Sequence, residues 1–588
     1  MTAVLGINAY HADAAACLVI DGEVVAAAEE ERFTRVKHQA GLPAQASRWC
    51  LEKAGLEIAD LAAIAINSDV HAHRLRKMLY ILRHRPQAKL LLDRWQNRRH
   101  RVGFAQELAD MLPGSGILPP VFPVEHHLAH LACAYLSSSF DDALVVSVDG
   151  FGDFAGAAWA DALRQDIRIR SRVFFPHSLG IFYQALTQYL GFHDYGDEYK
   201  LMGLAAYAEP EGDPRLRQVL LPGKRGQFRL GLEFFRHPRE AVPYHWSGGT
   251  PQIGTLYTPA LEKLLGPARA QDEPLEDRHI ALAAEVQNAY ERAFFDLLGY
   301  GYEQTRSRRL ALAGGCAMNS VANGRIFAKI PFDEIHIPPA PGDAGGAMGA
   351  ALWVWQKITG KRRSILHRAD LGQTWADDQL ADEAQAWTVA QNRSDFALET
   401  YIDEADCLHQ AAADLANGKV IGWFQGGMEF GPRALGFRSI LADPRRADSR
   451  ERINRKIKQR ELFRPFAPTV TLEDAPDWFD ISFPVRFMEH VVWILPHQRA
   501  RIPAITHVDG SARLQTVSER DNPRLHRLLR QFGELTGVPI LLNTSFNRHE
   551  PIVRSPQDAL KTFLECGMDV LYLGLSRIER KTNATSTP

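Results

Sequence analysis

The chain of 588 residues predicts an α/β protein whose N-terminal part contains one structural unit twice, followed by a smaller α/β domain. Three observations carry this. The first is "AVLGINAYHADAAACLVIDGEVVAAAEEERFTR" from Ala3, which reads as strand, polar loop, strand, tight turn and strand. Asp21-Gly22 between two apolar runs is a strong hairpin signal. The second is the return of that pattern at "DALVVSVDGFGDFAGAAWADALRQDIRIRSRVF" from Asp142, which points to an internal duplication. The third is a pair of glycine-rich strand-to-helix loops, "RLALAGGCAMNSVANGRI" and "PPAPGDAGGAMGAAL". In them Gly314-Gly315 and Gly342 to Gly346 let backbone approach a ligand, and helix N-termini favour anions. Composition shifts at "KRRSILHRADLGQTWA", so we place a first domain over 1–365 and a second over 366–588. A chain of this length exceeds one ordinary core.

Composition narrows the function classes. The chain is 46% apolar and 23% charged with a net charge of −2, which gives no global drive toward nucleic acid or membrane. No run of uncharged apolar residues is long enough to span a bilayer, and no basic leader precedes the first strand, so a cytoplasmic protein is expected. The six cysteines (Cys17, Cys50, Cys133, Cys316, Cys407 and Cys566) are scattered without a CxxC pair, as reduced thiols would be. One asymmetry is local: Arg74 to Arg101 carries ten Lys/Arg against Asp93 alone. It reads either as a solvated helical excursion or as a cap over a site receiving an anionic substrate. RNA binding would call for interleaved aromatics that this stretch lacks.

Two constellations carry chemistry. In "PVEHHLAHLACAYL", His126 and His130 are i and i+4 on a helix and share a face, whereas His127 lies about 100° away. Their spacing suits one metal ion, and the helix leads into the second copy of the duplicated unit, where "VDGFGD" offers Asp149 and Asp153. A mixed imidazole and carboxylate set suits Fe(II), Zn or Mn. The alternatives are a histidine-rich helix face, a turn-forming Asp149 and an N-capping Asp343. The second constellation, Gly426 to Val470, is rich in arginine. Most of the arginines from Arg450 to Arg460 read as part of a solvated helix face. Arg433 and Arg464, set among Gly, Pro, Phe and Ala, read as anion ligands. "VPILLNTSFN" then drives a strand into Asn543, Thr544, Ser545 and Asn547, a polar binding edge.

Together the HxxxH helix, "VDGFGD", "DEYKLMGLAAY", "GGCAMNSVANG", "PGDAGGAMGA", "EFGPRALGFRSILADPR", "RPFAPTV", "GSARLQTV" and "PILLNTSFN" resemble the O-carbamoyltransferase family of nodulation and antibiotic tailoring. The resemblance implies an actin/hexokinase-like N-terminal domain, similar to the tRNA threonylcarbamoylation protein, fused to a smaller YrdC-like domain. It implies an enzyme that makes carbamoyl adenylate from carbamoyl phosphate and ATP, then carbamoylates a hydroxyl of a small-molecule acceptor. It further implies metal ligands at His126, His130, Asp149 and Asp343, with Fe(II) or another divalent ion, and Mg²⁺ for adenylation. His11 falls at the catalytic position. Asn319, Asn323, Arg433, Arg464, Arg513, Asn543 and Ser545 fall at adenylate contacts, and Lys37 at an acceptor contact. Carbamoyl phosphate, ATP and the hydroxyl acceptor are the implied partners; membrane and nucleic acid are not expected. Two alternatives share parts of the pattern: a fused threonylcarbamoyl-adenylate and tRNA-modifying protein, and a non-catalytic actin-like nucleotide-binding regulator.

Overall fold

The computed structural model describes residues 1–84, 86–87, 106–108, 110–112, 118–246, 249–361, 365–390 and 395–581, so the basic stretch from Lys89 to Arg101 lies outside the described residues. The chain divides into two compact units, Met1–Leu366 and His367–Pro588.

In the first unit, β1 (Ala3–Asn8), β2 (Ala15–Ile20) and β3 (Glu23–Glu29) form an antiparallel meander, and β4 (Ala63–Ile66) and β5 (Val121–Pro123) extend it in parallel, giving the order β3-β2-β1-β4-β5. A second sheet repeats this arrangement. Here β6 (Asp142–Gly152), β7 (Ala155–Leu163) and β8 (Asp166–Phe174) make the meander, and β9 (Arg309–Ala313) and β10 (Glu334–His336) add in parallel, giving β8-β7-β6-β9-β10. One strand order used twice is the duplicated actin/hexokinase-like arrangement that the sequence predicts. The first hairpin turns at Asp21 (φ 49°) and Gly22 (φ 88°). Its counterpart turns at Arg164 (φ 47°) and Gln165 (φ 72°), with no glycine to announce it.

Two helices position the site. Helix α1 (His126–Ser137) packs on β6 and β9, while α2 (Asp343–Thr359) packs on β1, β2 and β4. The two helices also pack against each other. A Cβ on Gly349 would sit 1.9 Å from the Ala129 carbonyl oxygen, so only glycine permits this crossing. The small residues Ala129, Ala132 and Ala134 of α1 are fully buried.

The second unit is built on one mixed sheet of β11 (Phe396–Thr400), β12 (Ile421–Phe424), β13 (Arg438–Ala442), β14 (Ala467–Thr471), β15 (Gln515–Val517), β16 (Ile540–Ser545), β17 (Val570–Leu573) and β18 (Ser576–Arg580). The strand order is β11-β18-β17-β12-β13-β16-β14-β15. Successive residues enter opposite cores: Leu441, Leu541, Val570 and Tyr572 join one cluster, and Ile440, Leu542, Leu571 and Leu573 join the other. Leu408 and Leu415 of α3 (Glu404–Ala416), with Leu525 and Phe532 of α4 (Pro523–Thr536), cover the first face. Leu560 and Phe563 of α5 (Pro556–Cys566) cover the second. Burial on both sides explains why β12 (IGWF) and β17 (VLYL) are continuous apolar runs.

Candidate active site

In the first unit His126, His130, Asp149 and Asp343 converge, each offering one ligand atom within 4.8 Å of the others. Helix α1 supplies both imidazoles, β6 supplies Asp149, and the first turn of α2 supplies Asp343. The Nε2 atoms of His126 and His130 lie 3.1 Å apart, and at 3.1 and 2.9 Å from Asp149 Oδ2. Asp343 Oδ1 stands 3.6 and 3.5 Å from the same two nitrogens and has no hydrogen-bond partner. Two buried imidazole nitrogens and two carboxylate oxygens aimed at one point suit a borderline divalent cation.

Neighbouring groups aim this set. Asp149 Oδ1 accepts from the backbone N–H of Gly150 (2.7 Å) and of Gly315 (3.1 Å) in the glycine-rich loop, leaving Oδ2 for the histidines. A Cβ on Gly152 would lie 1.9 Å from His126 Cγ, so this glycine makes room for the ring. Burial disfavours charge on His130, yet the Asp149 hydrogen bond and the nearby carboxylates of Asp149 and Asp343 outweigh it and hold the ring at about 9. Asp149 is held well below its ordinary value: burial would raise it, but both histidines overcome that effect.

His127 takes no part; its Nδ1 meets Ser147 Oγ at 2.9 Å, and burial pulls it down to about 4. Asp153 is not aimed at the cluster either. Its Oδ2 accepts from the backbone of His126 (2.9 Å) and Asp69 (2.7 Å), so it ties down the start of α1. Glu125 caps the same helix by accepting from Leu128 N–H.

His11 lies against the cluster, its ring centroid 5.4 Å from that of His126. It sits on the β1–β2 loop between Tyr10 (φ 60°) and Asp13 (φ 54°), two non-glycine residues in the left-handed region. Asn8 holds that loop by donating to the carbonyls of Ala12 and Asp13 at 3.0 and 2.8 Å. Asp13 Oδ1 meets His38 Nδ1 at 2.8 Å, a pair that sequence reading missed because nothing local links residues 13 and 38. Lys37 is exposed on the loop carrying His38, and its carbonyl accepts from Thr250 Oγ1. Asn319 caps the helix Ser320–Gly324 and exchanges hydrogen bonds with Gln287. Asn323 is fully buried and donates to Ala317 O at 2.7 Å. The Asn323 amide is thus engaged within the loop, and that of Asn319 ties the loop to the helix Asp277–Thr305.

In the second unit the predicted arginines gather. Burial pushes the Arg513 guanidinium well below its ordinary value, and the charges of Arg433, Arg460 and Arg464 push it further. Asn543 is 1% exposed and donates to Gln515 Oε1 (2.9 Å) and to the carbonyl of Ala434 (3.3 Å), beside Arg433. Ser545 Oγ accepts from Lys458 Nζ at 3.2 Å, and Lys458 also donates to the side chain and backbone oxygens of Asn547 at 2.7 Å each. Lys458 lies in the same stretch as the solvated arginines but turns inward. It is 2% exposed, and burial followed by Arg460 and Arg464 pushes it well below its ordinary value. The signal was Ile453 and Ile457, whose apolar spacing turns this segment inward. Arg446 and Arg455 do face solvent, paired with Asp448 and Glu451.

Known proteins match this chain in both units. The family model for the carbamoyltransferase N-terminus matches residues 3–352, and that for the carbamoyltransferase C-terminus matches residues 412–580. The chain is 38% identical to the uncharacterized protein sll1178 of Synechocystis sp., over 97% of this chain and 96% of that one. It is 37% identical to the nodulation protein NolNO of Sinorhizobium fredii, over 98% and 80%. It is 35% identical to the 3'-hydroxymethylcephem-O-carbamoyltransferase of Amycolatopsis lactamdurans, over 42% and 44%. Among the described residues no helix is long and apolar enough to cross a membrane. With a histidine–aspartate cluster in the half matching the N-terminal model and an arginine cluster in the half matching the C-terminal one, the chain belongs to the carbamoyltransferase family.

Proposed function

We propose that the protein is an ATP-dependent O-carbamoyltransferase working in two steps. In the second unit, water cleaves carbamoyl phosphate to carbamate and inorganic phosphate, and a carbamate oxygen then attacks the α-phosphorus of ATP as pyrophosphate leaves. In the first unit, the hydroxyl oxygen of a small-molecule acceptor attacks the carbamoyl carbon, His11 takes the hydroxyl proton, and AMP departs, leaving a carbamate ester. Membership of the carbamoyltransferase family supports carbamoyl transfer. The adenylate route and the residue roles are our reading.

The observation that carries it is the cation cluster around Arg513. Arg433, Arg460 and Arg464 lie near enough to Arg513 for their charges to disfavour its charged form, and a polyanion entering among them would relieve that repulsion. Such preorganised cations suit the α-phosphate and the leaving pyrophosphate, where negative charge concentrates during adenylation. Asn543 and Ser545 stand ready to orient the carbamoyl amide and oxygen, and Lys458 fixes Ser545. In the first unit His126, His130, Asp149 and Asp343 would hold a divalent ion, Fe(II) in the family's pattern, which when bound supplies Lewis-acid polarisation or charge neutralisation. Beside it, His11 is placed by the Asn8-braced loop to receive a proton.

The test is to incubate the full chain with carbamoyl phosphate, ATP, Mg²⁺ and Fe(II) and follow carbamoyl-AMP and pyrophosphate by mass spectrometry. Adenylate is expected from the native chain and from His11→Ala, and is expected to vanish in Arg513→Ala. Absence of adenylate from the native chain, or its loss in His11→Ala, sinks this division of labour. Adenylate that forms only with threonine and bicarbonate would instead favour the tRNA-modifying reading.

A further inference from the structure

The helix Arg74–His84 ("RLRKMLYILRH") turns its apolar residues outward. Leu75, Met78, Leu79 and Leu82 are 76%, 59%, 64% and 71% exposed. Their i, i+3, i+4, i+7 spacing, at about 100° per residue, stacks them in one stripe. On the same wheel Arg74 borders the stripe on one side and Arg83 on the other. The opposite face holds the helix to its unit. Tyr80 is buried and donates its hydroxyl to the Pro238 carbonyl at 2.8 Å, and the Arg76 guanidinium lies 4.0 Å from the Phe174 ring centroid. The helix carries four Lys/Arg and no acid, although the whole chain has a net charge of −2; Asp69 is the acid near Arg74 and Lys77.

We propose that this helix is a lipid-docking element that lays Leu75, Met78, Leu79 and Leu82 into the headgroup boundary of an anionic bilayer, with Arg74 and Arg83 meeting lipid phosphates. An anchored amphipathic helix with an apolar stripe between basic flanks has the composition of an interfacial helix. Charge complementarity selects an anionic surface over a second copy of the chain, because two copies packed stripe to stripe would bring like charges together. Four side chains also fall far short of the roughly 800 Å² per partner that a stable protein interface buries. This assignment departs from the sequence expectation that membrane is no partner, since that expectation rested on overall charge and on the absence of a spanning segment. It is independent of the proposed carbamoyl chemistry.

The test is co-sedimentation of the full chain with phosphatidylcholine vesicles, with and without phosphatidylglycerol. The native chain is expected to pellet with the anionic vesicles and to be released by salt. Leu75→Ser/Leu79→Ser and Arg74→Gln/Arg83→Gln are each expected to lower the partition coefficient about tenfold or more, with far-UV dichroism and the thermal unfolding midpoint unchanged. The proposal is overturned if the native chain stays in the supernatant with anionic vesicles. It is also overturned if the variants bind as well as the native chain, or if sedimentation velocity shows that the serine variant converts a lipid-free dimer to monomer.

Discussion

Glu429 offers the sharpest quantitative check on how the second unit holds its arginines. Its carboxylate is 1% exposed, and a single oxygen, Oε1, accepts from the backbone N–H groups of Leu435 (2.8 Å), Phe437 (2.9 Å) and Arg438 (3.0 Å). The residues between carry Arg433, so this carboxylate is the template on which "EFGPRALGF" folds back. Arg438, also fully buried, donates to the carbonyls of Gln373, Gly426 and Phe437 and lies 3.7 Å over the Phe424 ring. Burial lowers Arg438 to about 10 against the opposing charges of Glu429 and Asp370, so it stays charged at neutral pH.

Replacing Glu429 by Ala removes three hydrogen bonds at once, at about 1 kcal/mol net each. The resulting ~3 kcal/mol corresponds to roughly 100-fold faster exchange of those amides through local opening. Glu429→Gln keeps an acceptor oxygen but loses charge assistance and places an NH₂ where Oε2 has no partner, so an intermediate rise of about tenfold is expected. Hydrogen exchange read at Leu435, Phe437 and Arg438 measures this directly. Pairing Glu429→Ala with Arg438→Met tests the buried charges, since removing both should cost less than the sum of the single changes. Exchange within threefold of the native chain in Glu429→Ala, or an additive double-mutant cycle, would refute this account.

Three further outcomes follow from the geometry. Gly152→Ala puts a Cβ into the His126 ring, so divalent metal bound to the purified chain should fall below half of the native stoichiometry; His127→Gln, whose ring hydrogen-bonds Ser147 and offers the cluster no ligand, should retain it. Lys458→Met removes the donor to Ser545 and Asn547 and should lower adenylate formation by ~100-fold or more, with Lys458→Arg failing to restore it because four oxygens surround one ammonium. Burial raises the Glu489 carboxyl to about 7 from an ordinary 4.5, so the folded state holds its proton more tightly than the unfolded one. That contribution is fully present below pH ~4.5 and is lost as pH rises through ~7, a fall of up to ~3 kcal/mol that Glu489→Gln should abolish in denaturant titrations across this range.

What could be read from the chain follows from how far each interaction reaches along it. The duplicated meander was legible because each copy is local: alternation and a turn signal suffice, and Asp21-Gly22 adopts the positive φ values that its residues favour. The His126 and His130 pairing was legible because one turn of helix fixes it. That Asp343 joins them depends on α1 and α2 crossing at Gly349, a contact between segments more than 200 residues apart whose only trace in the sequence is a run of small residues. The family resemblance supplied Asp343; periodicity could not have done so. Lys458 was not singled out, for the opposite reason. Charge density in its neighbourhood spoke for solvent, whereas its fate was set by oxygens of Ser545 and Asn547 arriving from a strand almost 90 residues away. In both units the distant partner is a backbone or side-chain oxygen placed by packing. The residue types of the site were therefore readable where a helix turn or strand end held them. The polar groups that aim them, Gly315 N–H on Asp149 and Lys458 on Ser545, became visible only once the sheets were assembled.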